Sequence, residues 1–157
     1  METLVPTATQ RHCRIQVATG QAIEFVDLTE RIEALVASAG IQSGAVNVQT
    51  LHTTTAIVVN EHEPLLLSDF NRLLDRAVPV DAAYRHDDLA VRTVNLTADE
   101  RTNGHSHCRS LLLGTSVCLN IVDGTLQLGR WQRVFLVELD GPRTRDISVL
   151  LFGEARP

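Results

Sequence analysis

The spacing of apolar residues predicts two strands and a helix in the first quarter of the chain. Apolar and polar positions alternate over 10–18 and 22–26, which favours strands separated by a short glycine-containing turn. The next apolar residues recur at helical spacing and predict a helix over 28–39. Asp27 and Glu30 stand three residues apart at its start, which is typical of a capping box with Asp27 as the N-cap.

The second quarter repeats this order of strands and helix. Residues 44–51 and 54–60 are rich in β-branched side chains and predict two strands or one long bent strand. Pro64 then stands where a helix can begin, because the first helical residue needs no free N–H. An apolar stripe, with charged residues mostly on the opposite face, predicts a second helix over 64–77.

The middle of the chain is the least regular part. Residues 79–102 are polar and acidic, with only a weak strand signal over 90–94. A loop of this length inside a compact domain is usually functional or mobile. A short third helix is predicted over 103–113, with Asn103 as its candidate N-cap.

The remainder of the chain predicts strands. They cover 116–122, then 125–139 with a bulge at Gly129, then 143–152. The last two carry apolar residues on both faces, so we expect helices to cover one face and an oligomer interface to cover the other.

This order of elements predicts an α+β fold. It does not alternate as a doubly wound fold does, and it favours a mixed or antiparallel β-sheet packed with about three helices. No internal repeat or linker divides the chain. We therefore expect a single compact domain over 1–157, in which 1–9 form a flexible N-terminal arm.

Composition narrows the function classes. The chain has 157 residues, and all 14 of its basic residues are Arg, which excludes a Schiff-base or P-loop lysine. The net charge of −5 argues against broad nucleic-acid binding. No apolar run is long enough for a membrane span, and the N-terminus lacks the apolar segment of a secretory signal. We expect a cytoplasmic protein without nucleic-acid or membrane partners.

Titratable residues extend several core-facing rows of the predicted strands. His52, Glu61 and the Arg143/Arg145 pair each continue an apolar row at a strand end. Polar residues are also common at frayed strand ends, but several such rows together favour a shared pocket. Two or three Arg side chains would suit a small phosphorylated substrate.

The six histidines form no self-contained metal motif such as HExxH. His105 and His107 are two residues apart, so on a helix their side chains diverge by about 200°. His107 lies four residues before Leu111 and is the better candidate for a site, although a structural role is equally open.

Two further segments carry candidate binding groups. Thr115 and Ser116 lie where the third helix gives way to a strand, and such a turn can hold an anion or simply be a turn. The single Trp131 is either a core anchor or part of a site, and Gln132 alternates to the opposite face.

An ordered set of motifs resembles the YjbQ family. These motifs are His52-Thr-Thr-Thr-Ala-Ile, Asn60-Glu61, Asp69, Tyr84-Arg-His86, Ser106-His107 followed by Leu111-Leu-Leu-Gly-Thr-Ser116, Gly129-Arg-Trp131-Gln132 and Asp140-Gly-Pro-Arg143-Thr-Arg145. That family is labelled secondary thiamine-phosphate synthase. The resemblance implies a compact α+β homotrimer that joins an aminopyrimidine diphosphate to a thiazole phosphate and releases pyrophosphate.

The resemblance also implies residue roles. We expect His52, His86 and His107 to bind a divalent metal, zinc or magnesium, and Glu61, Asp69 and Gln132 to be catalytic. Candidate substrate- and phosphate-binding residues are Thr54, Thr115, Ser116, Trp131, Arg143 and Arg145. Two other functions remain open: a metal-dependent hydrolase of small phosphorylated compounds, and a non-catalytic trimeric module that binds a metal or an anion.

The sequence departs from the family pattern at three places. The segment His62-Glu63-Pro64 is one residue shorter than the family's run of Asn-x-Asp-Pro. Arg130 stands where the family has Thr, and Arg109 where it commonly has Lys. These differences bear on the substrate.

Overall fold

The computed structural model describes residues 8–155 as two antiparallel sheets and three helices. In chain order the elements are β1 (Ala8–Ala18), β2 (Glu24–Asp27), α1 (Thr29–Ala39), β3 (Ile41–Thr50), β4 (Thr55–Glu61), α2 (Pro64–Ala77), a 3₁₀ turn (Arg85–Asp87), α3 (Gly104–Leu113), β5 (Ser116–Val122), β6 (Thr125–Leu126), β7 (Gln132–Glu138) and β8 (Thr144–Ala155). The α+β fold class and the number of helices are confirmed. None of the described helices is long and apolar enough to cross a membrane.

The strands divide between a large and a small sheet. The large sheet has the order β1-β8-β3-β5-β6, and the small sheet has the order β2-β7-β4. The segments predicted as two strands or one bent strand are therefore two strands, β3 and β4, which lie in different sheets. All the strand pairs described are antiparallel.

The small sheet is buried on both faces because β7 is apolar on both. Val134 and Leu136 pack into the main core, between α1 and the large sheet. Phe135 and Val137 pack on the opposite face, against Leu74 of α2. This confirms that the strand is covered on both sides, but residues of the same chain cover both faces of β7, so the oligomer interface expected on one of them is wrong for this strand. In β8, by contrast, one face is buried, and Phe152 on the other face is 43% exposed.

Two local predictions are wrong. The strand predicted over 125–139 is two strands in different sheets, because the chain turns between Leu126 and Gln132, with the Gln132 N–H bonded to the Gly129 carbonyl. The weak strand signal over 90–94 corresponds to no strand, in keeping with the irregular segment predicted there; Arg92 forms an ion pair with Glu100.

The second error concerns how α1 begins. The N-cap of α1 is Leu28, and the Asp27 carboxylate accepts the Thr29 N–H instead of capping the helix itself. Asn103 is the N-cap of α3, but its side chain makes no capping bond. For α2 the predicted range is confirmed: it begins at Pro64, and the Glu63 carboxylate accepts two N–H groups of its first turn. The predicted N-terminal arm lies mostly outside the described residues, although Ala8 and Thr9 belong to β1.

Candidate active site at the His107 cleft

The predicted site residues, apart from Asp69, lie at the two ends of the small sheet. Thr55 at the start of β4 pairs with Glu138 at the end of β7, and Glu61 at the other end pairs with Gln132. Seven strand residues span about 20 Å. His52 and Thr54 therefore lie at one end of the sheet, whereas Glu61, Trp131 and Gln132 lie at the other.

His86 and His107 form a close pair near the first of these ends. Their ring centroids are 4.6 Å apart and the planes are inclined by 62°, an edge-to-face contact. His107 lies on α3 and His86 lies in the 3₁₀ turn. The Nε2 atom of His86 is buried and has no hydrogen-bond partner among the described residues.

Asp87 holds this turn against the start of α3. Its Oδ1 accepts the N–H groups of Asn103 and Gly104, both at 2.9 Å. These donors belong to the helix start, where backbone N–H groups need outside acceptors. Gly104 permits the contact, because a Cβ atom there would lie 2.5 Å from Cβ of Tyr84. The helix thus receives its cap from the loop that carries His86.

A cleft opens beside His107. Its volume is about 350 Å³, and it is lined by Thr53, His107, Ser110, Leu111, Gly114 and Thr115, which together we call the His107 cleft. The Ser110 hydroxyl donates to the Thr55 carbonyl, so it fixes α3 to β4. Thr115 is exposed, as is the next residue, Ser116. The two predicted anion-binding residues therefore lie at or beside this cleft.

Both imidazoles on α3 favour the neutral form. Burial lowers the pKa of His107, the neighbouring His86 lowers it further, and Asp140 opposes the shift. Burial followed by the Arg109 charge lowers the pKa of His105. The His105 ring lies near Tyr84, at 6.3 Å between centroids, rather than near His86. The helix thus directs the two side chains to different neighbours, as expected from their spacing.

The His52 side chain accepts a hydrogen bond from the backbone of β8. Its Nε2 accepts the Asp146 N–H at 2.8 Å, which leaves the ring proton on Nδ1. Burial, followed by the Arg145 charge, lowers the pKa of His52. Its available lone pair is therefore already used, and metal binding through His52 would require this hydrogen bond to break.

Arg145 and Arg143 have different environments. The Arg145 side chain is 1% exposed and forms a two-pronged ion pair with the fully buried Glu138, while it also donates to the Thr54 hydroxyl. Burial would raise the pKa of Glu138, but the Arg145 bond and others lower it. Arg143 is partly exposed and donates to Asp140 at 3.0 Å. Of the pair, Arg143 is the one that a ligand can reach.

A second cleft lies at the other end of the small sheet. Its volume is about 420 Å³, and it is lined by Asp27, Glu61, His62, Glu63, Arg130, Trp131 and Arg133, which together we call the Trp131 cleft. Trp131 is 60% exposed and is not a core anchor; the Arg130 guanidinium lies 4.6 Å from its ring centroid. Gln132 accepts the Gly129 N–H and closes the local turn.

The carboxylates of the Trp131 cleft differ in the hydrogen bonds that they accept. Burial would raise the pKa of Asp27, but hydrogen bonds from Thr29, Arg133 and His62 lower it to about 2. The Glu61 carboxylate has no hydrogen-bond partner among residues 8–155. Asp69 belongs to neither cleft, since it lies on α2 in an exposed ion pair with Arg72.

Comparison with known proteins identifies the family. The family model described as UPF0047 protein YjbQ-like matches residues 13–154, nearly the whole chain. The chain belongs to the YjbQ (UPF0047) family. A UPF0047 protein of Methanothermobacter thermautotrophicus is 38% identical over 89% of this chain and 90% of its own length. YugU of Bacillus subtilis is 31% identical over 88% of this chain and 97% of its own.

Solved YjbQ-like structures share the fold. A YbjQ-like protein of unknown function from Sulfolobus solfataricus superposes with a TM-score of 0.85 at 32% identity, covering 94% of this chain and all of that one. The hypothetical protein APE1520 from Aeropyrum pernix gives a TM-score of 0.81 at 30% identity, over 92% and 99% of the two chains.

The metal site expected of a YjbQ-like chain is not assembled by the described residues. Across residues 8–155, no group of three or more His, Cys, Asp or Glu side chains is placed to hold a metal ion. His86 and His107 form a pair, but His52 is held by Asp146. A three-histidine site therefore does not fit the arrangement, and metal binding stays a prediction.

Sequence analysis did not identify three acidic residues that hold the structure together near His52 and His107. Asp87 caps α3, Glu138 holds Arg145, and Asp140 accepts from Asn103 and Arg143. Glu138 carried one detectable signal: it is a charged residue inside a strand that is apolar on both faces, which requires a buried partner. The other two become visible only through contacts between distant segments.

Proposed function

We propose that this chain is a transferase acting on small phosphorylated compounds at the His107 cleft. The reaction is of the thiamine-phosphate synthase type, joining an aminopyrimidine diphosphate to a thiazole phosphate. The supporting observation is the His86–His107 pair, which borders a cleft lined by hydroxyl groups and has one buried nitrogen without a partner. The substrate class comes from the chain's resemblance to a family that is labelled secondary thiamine-phosphate synthase.

The chemistry of this transfer suits such a cleft. The carbon–oxygen bond to pyrophosphate breaks, a carbon–nitrogen bond to the thiazole forms, and pyrophosphate leaves with the bonding electrons. The main requirement is to stabilise charge that develops on the leaving group, for which fixed hydrogen-bond donors are effective. A covalent nucleophile is not needed.

The groups around the cleft can serve this requirement. A neutral imidazole offers one N–H donor and one acceptor, so His107, which lines the cleft, can donate to a phosphate oxygen, while His86 contacts the His107 ring. Thr53 and Thr115 line the cleft, and Thr115 is exposed. Arg143 adds a cation that shares Asp140 with Asn103. Arg145 acts indirectly, because its pairing with Glu138 fixes the strand ends that carry Thr54 and His52.

A steady-state assay with both precursors tests this proposal. We expect the purified chain to form thiamine phosphate and pyrophosphate, detected by mass spectrometry, and His107→Gln to lose at least about tenfold in rate, the effect of one lost hydrogen bond to a charged group. His105→Gln is the matched control on the same helix and should keep the rate. Absence of product, with or without zinc or magnesium, would contradict the proposal.

The same assay distinguishes the proposed transferase from the alternative, a hydrolase of small phosphorylated compounds. A neutral His107 with a lowered pKa also suits a general base that activates water. Phosphate release from simple phosphoesters, without either precursor and lost in His107→Gln, would favour a hydrolase over the transferase.

A further inference from the structure

We propose that the active site is completed by a second copy of this chain, whose Trp131 cleft faces the His107 cleft of its neighbour. This inference deepens the proposed function and relies on it for the ligand. Its geometry rests on how the two clefts divide the chemical groups and the exposed apolar side chains.

The two clefts hold complementary chemistry. The His107 cleft provides imidazoles and hydroxyls, but the nearby carboxylates of Glu138 and Asp140 are paired with Arg145 and Arg143. The Trp131 cleft provides an exposed indole ring and the Glu61 carboxylate, which has no partner among residues 8–155. A heteroaromatic phosphorylated substrate needs a stacking surface as well as phosphate donors, so neither cleft suffices alone.

One chain cannot bring the two clefts together. They lie at opposite ends of β4 and β7, about 20 Å apart, on a sheet that is buried on both faces. A packed sheet of this kind does not fold back on itself. A second copy, by contrast, can present its opposite end without any change in either fold.

Exposed apolar side chains flank both clefts. Leu111 is 84% exposed and lines the His107 cleft, with Leu112 beside it at 63%. Trp131, at 60%, projects at the other cleft. Large apolar side chains grouped at a cleft mark interaction surfaces more often than isolated ones do. The contact joins two different surfaces of the same chain, so it is head-to-tail and forms a closed ring when the rotation between neighbours returns the last copy to the first.

A closed ring places one complete site at each contact between neighbours. In each site Leu111 and Trp131 come from different copies. This relationship can be measured without any knowledge of the substrate.

Photo-cross-linking between copies tests the inference. A benzoylphenylalanine at position 111 is introduced into one batch of chains, which is mixed with ¹⁵N-labelled wild-type chains and irradiated. We expect the photoreactive residue to attach to a labelled peptide that contains Trp131. The same probe at Leu73, 63% exposed on α2, is the control and should not label that peptide. Attachment elsewhere, or none, overturns the inference.

Oligomeric state gives a second, independent readout. By light scattering we expect Leu111→Glu to shift the protein to its monomer mass of 17.3 kDa, whereas Leu73→Glu keeps the wild-type assembly. A wild-type protein that is monomeric at micromolar concentration contradicts the inference.

The two proposals fail in different ways. If the chains cross-link as expected but no thiamine phosphate forms, the proposed function is contradicted and the shared cleft is supported. If a monomer is fully active, the proposed function is supported and the shared cleft is contradicted. If both hold, His107→Gln and Trp131→Ala should each lower the rate, and mixing the two kinds of chain should raise it again, because some contacts then combine two intact halves.

Discussion

His86 and His107 lie edge to face, 4.6 Å between ring centroids, although 21 positions separate them in the chain. Their contact depends on the loop between α2 and α3, which docks on the helix start through Asp87. The loop is therefore part of the site, and its attachment should control ligand binding.

Removing the Asp87 cap tests this dependence. In Asp87→Ala, two N–H groups of α3 lose their acceptor, which should cost about 1 kcal/mol of stability. Ligand affinity should fall further than this stability loss accounts for, because His86 is released from His107. Asp88→Ala is the control: Asp88 is an exposed neighbour whose carboxylate, among residues 8–155, accepts only the Ala90 N–H. Calorimetric titration with pyrophosphate measures the affinity of both variants. Equal affinities of Asp87→Ala and Asp88→Ala would contradict the role given to the loop.

The buried ion pair between Glu138 and Arg145 should contribute more to stability than the exposed ion pair between Asp69 and Arg72. Glu138→Gln leaves the Arg145 charge buried without its partner, which costs about 3–5 kcal/mol. The double variant Glu138→Gln/Arg145→Met should lose less than the sum of the single changes. Asp69→Asn breaks the exposed pair with Arg72 and should change stability by less than about 1 kcal/mol. Urea unfolding measures all four variants; similar losses for Glu138→Gln and Asp69→Asn would be incompatible with the burial described.

Stability should decline as the solution becomes acidic. Burial lowers the pKa values of His52, His105 and His107, whereas the unfolded chain titrates near 6.5. Below about pH 6.5 the unfolded state therefore binds protons that the folded state does not, and the free energy of unfolding falls. Asp27, with a pKa of about 2, adds a second loss below about pH 4.

Urea midpoints between pH 8 and pH 5 measure the first of these losses. His107→Gln should flatten the dependence in this range, because it removes one of the three groups. A wild-type midpoint that stays constant or rises between pH 6.5 and pH 5 would show that these imidazoles are protonated in the folded protein.

Metal binding, if present, should depend on two histidines rather than three. Zinc titration should show binding that is lost in His86→Gln and in His107→Gln but kept in His52→Gln, because the His52 lone pair is bonded to Asp146. Affinity should weaken below about pH 6.5, where free imidazoles take up protons. Equal loss in all three variants would restore the three-histidine site expected from the sequence.

The sequence predicted elements well where local rules decide them. Helix α2 was predicted at its observed bounds, because Pro64 marks its start and its apolar stripe is regular. The single strand predicted over 125–139 was wrong, because apolar alternation continues through Leu126 and Leu128 while the chain changes sheets between them and β7.

Local sequence patterns predict single features of the candidate site but not how its residues are arranged. The spacing of His105 and His107 on a helix assigned their directions in advance, and contacts with Tyr84 and His86 bear this out. That Glu61 lies beside Gln132, and Thr55 beside Glu138, depends on the pairing of β4 with β7. Such pairing joins residues some 75 positions apart, and no local pattern specifies it.

The binding of pyrophosphate beside His86 and His107 is the most direct test of the account. Imidazole ¹⁵N–¹H spectra, assigned with His86→Gln and His107→Gln, report each ring separately while pyrophosphate is added. The account predicts saturable shifts of the His86 and His107 signals, with the His12 and His62 signals unchanged. Saturable binding that leaves both signals in place, or no binding at millimolar pyrophosphate, would contradict it.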